Sequence, residues 1–227
     1  MQPCVLVSGY GIPKNILKDR NYDIYLRTVF NRIVELCQTQ GLKKLTIVFT
    51  GGKTDMFKPY QRSEAGEMIK AFRVLMERPS VKPLVGGWKL LAETRALSSL
   101  DNALYAKELC AKRGLSLPLV VFAEQTRVER VKRITKAVFG TSTEVQPIDF
   151  DQSANRYVST DLLEKREREG MKLDTWALKS PENLKRHREL YKQKIAFLRG
   201  EGPVRHVEAL QTWWNQQIEQ LNEKGLH

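Results

Sequence analysis

The segment from Glu93 to Asn102, Glu-Thr-Arg-Ala-Leu-Ser-Ser-Leu-Asp-Asn, sets a carboxylate, two adjacent serine hydroxyls, an aspartate and a carboxamide between two apolar-patterned stretches. The run before it, Trp88–Ala92, reads as a strand, and the stretch from Ser98 onward reads as a helix. Ligands of open α/β sheets bind at such places, where strand carboxyl ends meet helix amino ends. Glu93 can accept hydrogen bonds from a ribose or an amine, and helix amides near Ser99 and Asn102 can hold an anion. A helix needs only one or two of these side chains as caps, so capping explains the segment in part.

Three further loops have related chemistry. Ser8-Gly9-Tyr-Gly11 ends an apolar run, and its glycines would let the backbone approach a phosphate or carboxylate. A plain tight turn explains them equally well, because no third glycine stands at Lys14. Thr50-Gly51-Gly52 repeats the pattern, with Lys53 adding charge, and Ser63-Glu64 opens a helix downstream. Capping accounts fully for Ser63, and the positive end of a helix adequately for Glu64. In the last loop Thr126 is an expected N-cap, and Arg127 and Arg130 share a helix face. If that face borders the site, they form a forked clamp for phosphate or carboxylate. The alternative is a solvated basic helix continuing through Lys132, Arg133 and Lys136.

The elements that would position these loops alternate along residues 1–150. Strands are expected at 4–8, 45–49, 88–92, 119–123 and, more weakly, 144–150; helices at 22–40, 63–77, 98–112 and 126–139. Short apolar runs alternating with amphipathic helices predict a three-layer α/β/α, Rossmann-like fold with a mainly parallel sheet of about five strands. Right-handed crossovers then put every strand-to-helix loop along one edge. Residues 151–227 show no strand pattern and read as a mixed-charge helical extension, with helices at 160–169, 181–198 and 204–222. The last carries Trp213 and Trp214, whose exposure would be costly, so the extension is expected to pack on the sheet domain.

Composition narrows the function classes. No run approaches the roughly 20 apolar residues of a membrane helix, and the amino terminus lacks the pattern of a signal peptide. Three widely spaced cysteines, Cys4, Cys37 and Cys110, suit buried reduced thiols in a cytoplasm better than disulfides or a zinc site. All three histidines, His187, His206 and His227, fall in the extension. A Ser-His-Asp triad, a histidine metal site or a histidine base is therefore not expected in the sheet domain, and no metal is expected there. Acid–base work would fall to Glu64, Glu93, Asp101 or Glu124, with Glu64 and Glu93 the leading candidates. Residues 1–150 hold 24 Lys/Arg against 14 Asp/Glu, whereas the remainder holds 14 against 12. The excess lies with the candidate site, which favours an anionic ligand or nucleic acid, though a generally basic, solvated surface explains it equally well.

Taken together, Ser8–Gly11, Thr50–Gly52, Ser63-Glu-Ala65 with Met68, Glu93…Ser99-Leu-Asp-Asn102-Ala, and Leu119–Ala123 followed by Arg130 resemble the YdcF/SanA/ElyC family over about residues 4–150. The resemblance implies a Rossmann-like domain of largely unknown function with a pocket built from these loops. Members typically have a histidine three residues before the arginine matching Arg130; here that position is Arg127, which implies a stronger anion clamp. The absence of an anchor makes the chain more similar to the soluble YdcF-type branch than to the membrane-anchored members.

The leading expectation is a cytoplasmic protein binding a small anionic ligand, a nucleotide or a nucleoside-type cofactor such as S-adenosylmethionine. Gly9, Gly11, Thr50, Gly51 and Gly52 would approach it; Ser63, Glu64, Glu93, Ser99, Asn102 and Thr126 would hydrogen-bond it; Arg127 and Arg130 would neutralise it. The alternative is a phosphoester hydrolase or group transferase with a carboxylate base. A nucleic-acid or protein interaction module ranks third, because aromatic residues are sparse among the basic ones. Sequence alone does not address oligomeric state.

Overall fold

The computed structural model describes residues 1–9, 11–149 and 160–223, with side chains for all of these except 160 and 221–223. Among the described residues, five strands form one parallel sheet: β1 (Gln2–Ser8), β2 (Leu45–Thr50), β3 (Trp88–Glu93), β4 (Leu115–Glu124) and β5 (Glu144–Ile148). Their order is β3-β2-β1-β4-β5. Between them run α1 (Arg20–Gln40), α2 (Glu64–Met76), a short α3 (Lys82–Val85), α4 (Ser99–Lys112) and α5 (Val128–Phe139). This is the expected Rossmann-like α/β architecture.

The strand order explains the burial. All six residues of β2 are buried, because it has a neighbour on each side and helices on its faces. The edge strands β3 and β5 are only partly buried, which is why β5 reads weakly in the sequence. On one face, Phe30 of α1 meets Phe72 of α2 and Trp88 of β3, with ring centroids 5.4 and 5.3 Å apart. Phe49 of β2 closes the cluster 4.7 Å from Phe72. Such pairs add about 0.5–1.5 kcal/mol beyond their buried area.

Local signals set most helix boundaries. Asp19 caps α1 by accepting from Tyr22 N, Ser63 caps α2 by accepting from Gly66 N, and Ser98 caps α4 by accepting from Asp101 N. Gly41 ends α1 in the left-handed region at φ 64°.

Two expectations need correction. β4 starts at Leu115, four residues before the predicted Leu119. Pro118 masks it in the sequence, and the pairing of β1 with β4 shifts register on both sides of Cys4↔Pro118. Thr126 does not cap the next helix. The Glu124 side chain accepts from Thr126 N and organises a 3-10 turn at Gln125–Arg127, so that α5 begins at Val128. Of the predicted fifth strand, Phe150 lies outside the described residues.

The chain divides into two compact units, with Met56–Pro59 grouped with the helical part rather than with the sheet. The helical unit contains α6 (Thr160–Ala177), α7 (Pro181–Glu201) and α8 (His206–Glu223). α6 runs eight residues past its expected end at Glu169. Buried Asp174 explains part of that length, for it pairs with buried His187 of α7 at 3.0 Å and couples the two helices. Trp213 and Trp214 are buried and meet edge-on, with centroids 5.0 Å apart. Leu221 and His227, noted in the sequence, lie outside the described side chains. No helix among the described residues is long and apolar enough to cross a membrane.

Candidate functional site

Parallel pairing brings the strand carboxyl ends into one row. Glu93 pairs with Thr50, and Thr50 with Ser8. The backbone continues this row one residue further, as Gly51 N donates to Glu93 O at 3.1 Å and Gly9 N to Thr50 O at 3.3 Å. From β1 the chain winds outward to β2 and β3, then returns across the sheet to β4. Right-handed crossovers therefore place α1 and α2 on one face and α4 and α5 on the other. The reversal opens a crevice between the ends of β1 and β4, the position where doubly wound sheets bind ligands.

A cleft occupies that position. Ser8 and Gly9 line it from β1, Thr50 from β2, Ser99 and Asn102 from α4, and Glu124 and Arg127 from the end of β4. Its inner walls are apolar and include Leu6, Val121, Val131, Ile134 and Phe139. The interior cavity measures about 20 Å³, enough for one water-sized group.

The α4 rim has unused hydrogen-bonding capacity. Ser98 satisfies the amides of Asp101, through its hydroxyl, and of Asn102, through its carbonyl. The first-turn amides of Ser99 and Leu100 have no protein acceptor among the described residues, as usual for a helix start. Asn102 lines the cleft, and its Oδ1 atom is buried and has no hydrogen-bond partner. A buried acceptor left unmade costs about 1–3 kcal/mol, so a donor from a ligand would be well matched to it.

Across the cleft, Glu124 and Arg127 hold each other. Glu124 Oε1 accepts from the Thr126 amide and hydroxyl, and its Oε2 lies 3.5 Å from Arg127 Nε. Arg127 Nη1 donates to Gly9 O at 3.2 Å, which ties the β4–α5 turn to the end of β1. Arg127 thus borders the cleft as expected, whereas Arg130 is buried on α5 and does not line it. The expected two-arginine clamp is a single arginine beside a carboxylate.

Other expected site residues lie outside this cleft. Gly11, Gly51, Gly52, Ser63, Glu64, Glu93 and Thr126 do not line the cleft. Glu93 ends the edge strand β3, two strands and about 10 Å by strand spacing from β1. Its carboxylate accepts from Arg95 N at 2.8 Å and Ala96 N at 3.2 Å, folding its own loop. Gly51 and Gly52 admit protein rather than ligand. A side chain at Gly51 would meet Glu64, and one at Gly52 would meet Ala96 O. The amides that open α2 are also taken, Glu64 N by Gly52 O and Ala65 N by Gly51 O. Little remains at that helix start to bind an anion.

Burial raises the Glu93 carboxyl above its ordinary pKa, opposed by the Arg95 and Ala96 amides and by the Arg95 charge. A carboxyl whose folded pKa exceeds its unfolded one binds its proton more tightly in the folded state, so the stability it contributes falls as pH rises through that window. Glu93→Gln should therefore flatten the stability–pH curve just above the ordinary carboxylate range. Urea titrations at stepped pH would test this, and an unchanged slope would refute it.

One buried polar network leaves no local signature along the chain. Arg62 binds Asp55 with two hydrogen bonds, of 2.6 and 2.9 Å, and donates to Pro13 O and Lys14 O. Glu67 lies 3.5 Å away. These groups come from separate loops, and no spacing rule joins them. Comparison of the chain with family models, curated proteins and solved structures found no significant match.

Proposed function

We propose that the sheet unit binds a small ligand through an anionic group in the β1/β4 cleft, the phosphate of a nucleotide or the carboxylate of a nucleoside-type cofactor such as S-adenosylmethionine. The observation that carries this reading is the coincidence of four features at the switch point. These are the glycine end of β1, the open first turn of α4, the unpartnered Asn102 Oδ1 and the Arg127 side chain. The α4 amides attract an anionic group, Arg127 adds positive charge, and Asn102 accepts from a ligand hydroxyl or amine. The motif order, which resembles that of YdcF-type sequences, agrees with the same reading. The small interior limits what enters to about one water-sized group. The bulk of the ligand then lies over the loops.

No observation favours the hydrolase alternative, since Glu64 and Glu93 stand outside the cleft and Glu124 is held by Thr126 and Arg127. Calorimetric titration with adenosine monophosphate, S-adenosylmethionine and inorganic phosphate is the direct test. Saturable binding of one equivalent is expected for at least one of them. Arg127→Ala and Asn102→Ala should each weaken that binding about tenfold or more, the worth of a lost charged or buried hydrogen bond. If both variants keep the fold by circular dichroism and bind as tightly as the parent, the cleft is not the site.

A further inference from the structure

Cys4 and Cys110 are 106 residues apart in sequence, yet their sulfurs lie 3.7 Å apart in the core. Cys4 is on β1 and Cys110 is near the end of α4, and both are buried. All three cysteines are free and buried, as expected, and the β3–α4–β4 crossover brings Cys4 and Cys110 together despite their separation in sequence. A disulfide requires the sulfurs to approach by roughly 1.7 Å, to about 2.05 Å.

The backbone around Cys4 is suited to that adjustment. Cys4 faces Pro118, which has no amide hydrogen to donate, and the β1–β4 ladder shifts register on both sides of this pair. The Cys4 thiol lies 3.3 Å from Ser116 O, inside the same irregular segment. Cys37 is buried and has no cysteine neighbour among the described residues.

We propose that Cys4 and Cys110 form a peroxide-closable dithiol that cross-links β1 to α4. Either thiol can donate across the pair, so either sulfur can attack once it has lost its proton. That thiolate attacks one peroxide oxygen, the O–O bond breaks, and the displaced hydroxide takes up the proton the thiol released, giving a sulfenic acid and one water. The other sulfur, giving up its proton, then attacks the sulfenic sulfur and expels its hydroxyl as a second water. Two thiols thus lose two electrons and two protons to one hydrogen peroxide, giving one disulfide and two waters. The bond restrains α4, which carries Ser99 and Asn102, against the strand that ends at Gly9, though the chemistry does not depend on any ligand of the cleft.

The test treats the folded full-length chain with hydrogen peroxide, then unfolds it and alkylates the remaining thiols. Expected are a loss of about 2 Da before alkylation, one alkylated cysteine instead of three, and a Cys4–Cys110 linked peptide removed by dithiothreitol. Cys37→Ser should behave like the parent, and Cys110→Ser should lose the 2 Da change. Three alkylated cysteines after peroxide, a linked peptide containing Cys37, or oxidation that stops at sulfinic acid would each overturn the proposal. The peptide map is made on the parent chain, so poor folding of a variant leaves the test intact.

Discussion

Arg62→Ala is expected to cost about 3–5 kcal/mol of stability, the largest effect of any single substitution considered for this chain. Arg62 is the cation for two buried carboxylates. Asp55 is 1% exposed and Glu67 is 6% exposed. The planar guanidinium grips Asp55 through two nitrogens while its third reaches Pro13 O, Lys14 O and Glu67. Alanine removes every one of these bonds and takes from buried Asp55 the guanidinium that holds both its oxygens. Glu67 fares better because Lys70 also pairs with it. Arg62→Lys keeps the charge but not the fork, so it should fall between parent and alanine. The Asp55→Ala, Arg62→Ala double variant should lose much less than the sum of the singles, since each single already removes the ion pair they share. Urea unfolding of the four proteins measures this. A loss below 1 kcal/mol for Arg62→Ala would show that the network is not a determinant of the fold.

Gly52→Ala should destabilise by about 3 kcal/mol, at the upper end of overpacking effects. A β-carbon there would stand 2.2 Å from Ala96 O and 3.1 Å from Thr94 O. Both are backbone atoms, so no side chain can rotate away. The same Ala96 O accepts from Gly52 N at 2.7 Å, so the clash also breaks the bond joining the β2–α2 and β3–α4 loops. If the variant folds, a displaced Ala96 will drag Ser99 and Asn102 with it and weaken the cleft. Gly86→Ala is the matched control in the same unit, where the added carbon makes only an ordinary contact, 3.8 Å from Lys82 O. It should change stability by less than about 0.5 kcal/mol. Equal effects of the two substitutions would remove the steric account.

These two predictions bear on what could be read from the residues. Gly52 stood out in the sequence, but as a glycine bringing backbone close to a ligand. The close approach is real, and the occupant is the Ala96 carbonyl. Glu93 stood out as a carboxylate at a strand end and Glu64 as one at a helix start; both are buried, and Glu93 folds its own loop. Polar residues at a strand–helix junction have two uses, binding a ligand or satisfying the junction's own backbone, and the residue types do not tell them apart. Ser99, Asn102 and Arg127 were read in the same way, and these the fold does bring to the cleft.

Local physics was enough to determine the elements. Apolar periodicity marked strands and helices, and Ser63 and Ser98 fixed two helix starts through a bond to an amide three residues on. Such interactions close within one turn, so the sequence contains them whole. What the sequence does not contain is strand order. Only the placement of β1 beside β4 creates the switch point, draws Arg127 to Gly9, sends Glu93 to the sheet edge and sets Cys4 against Cys110. Those contacts join residues about a hundred positions apart, and their geometry comes from how buried strands and crossing helices pack, which no local spacing records.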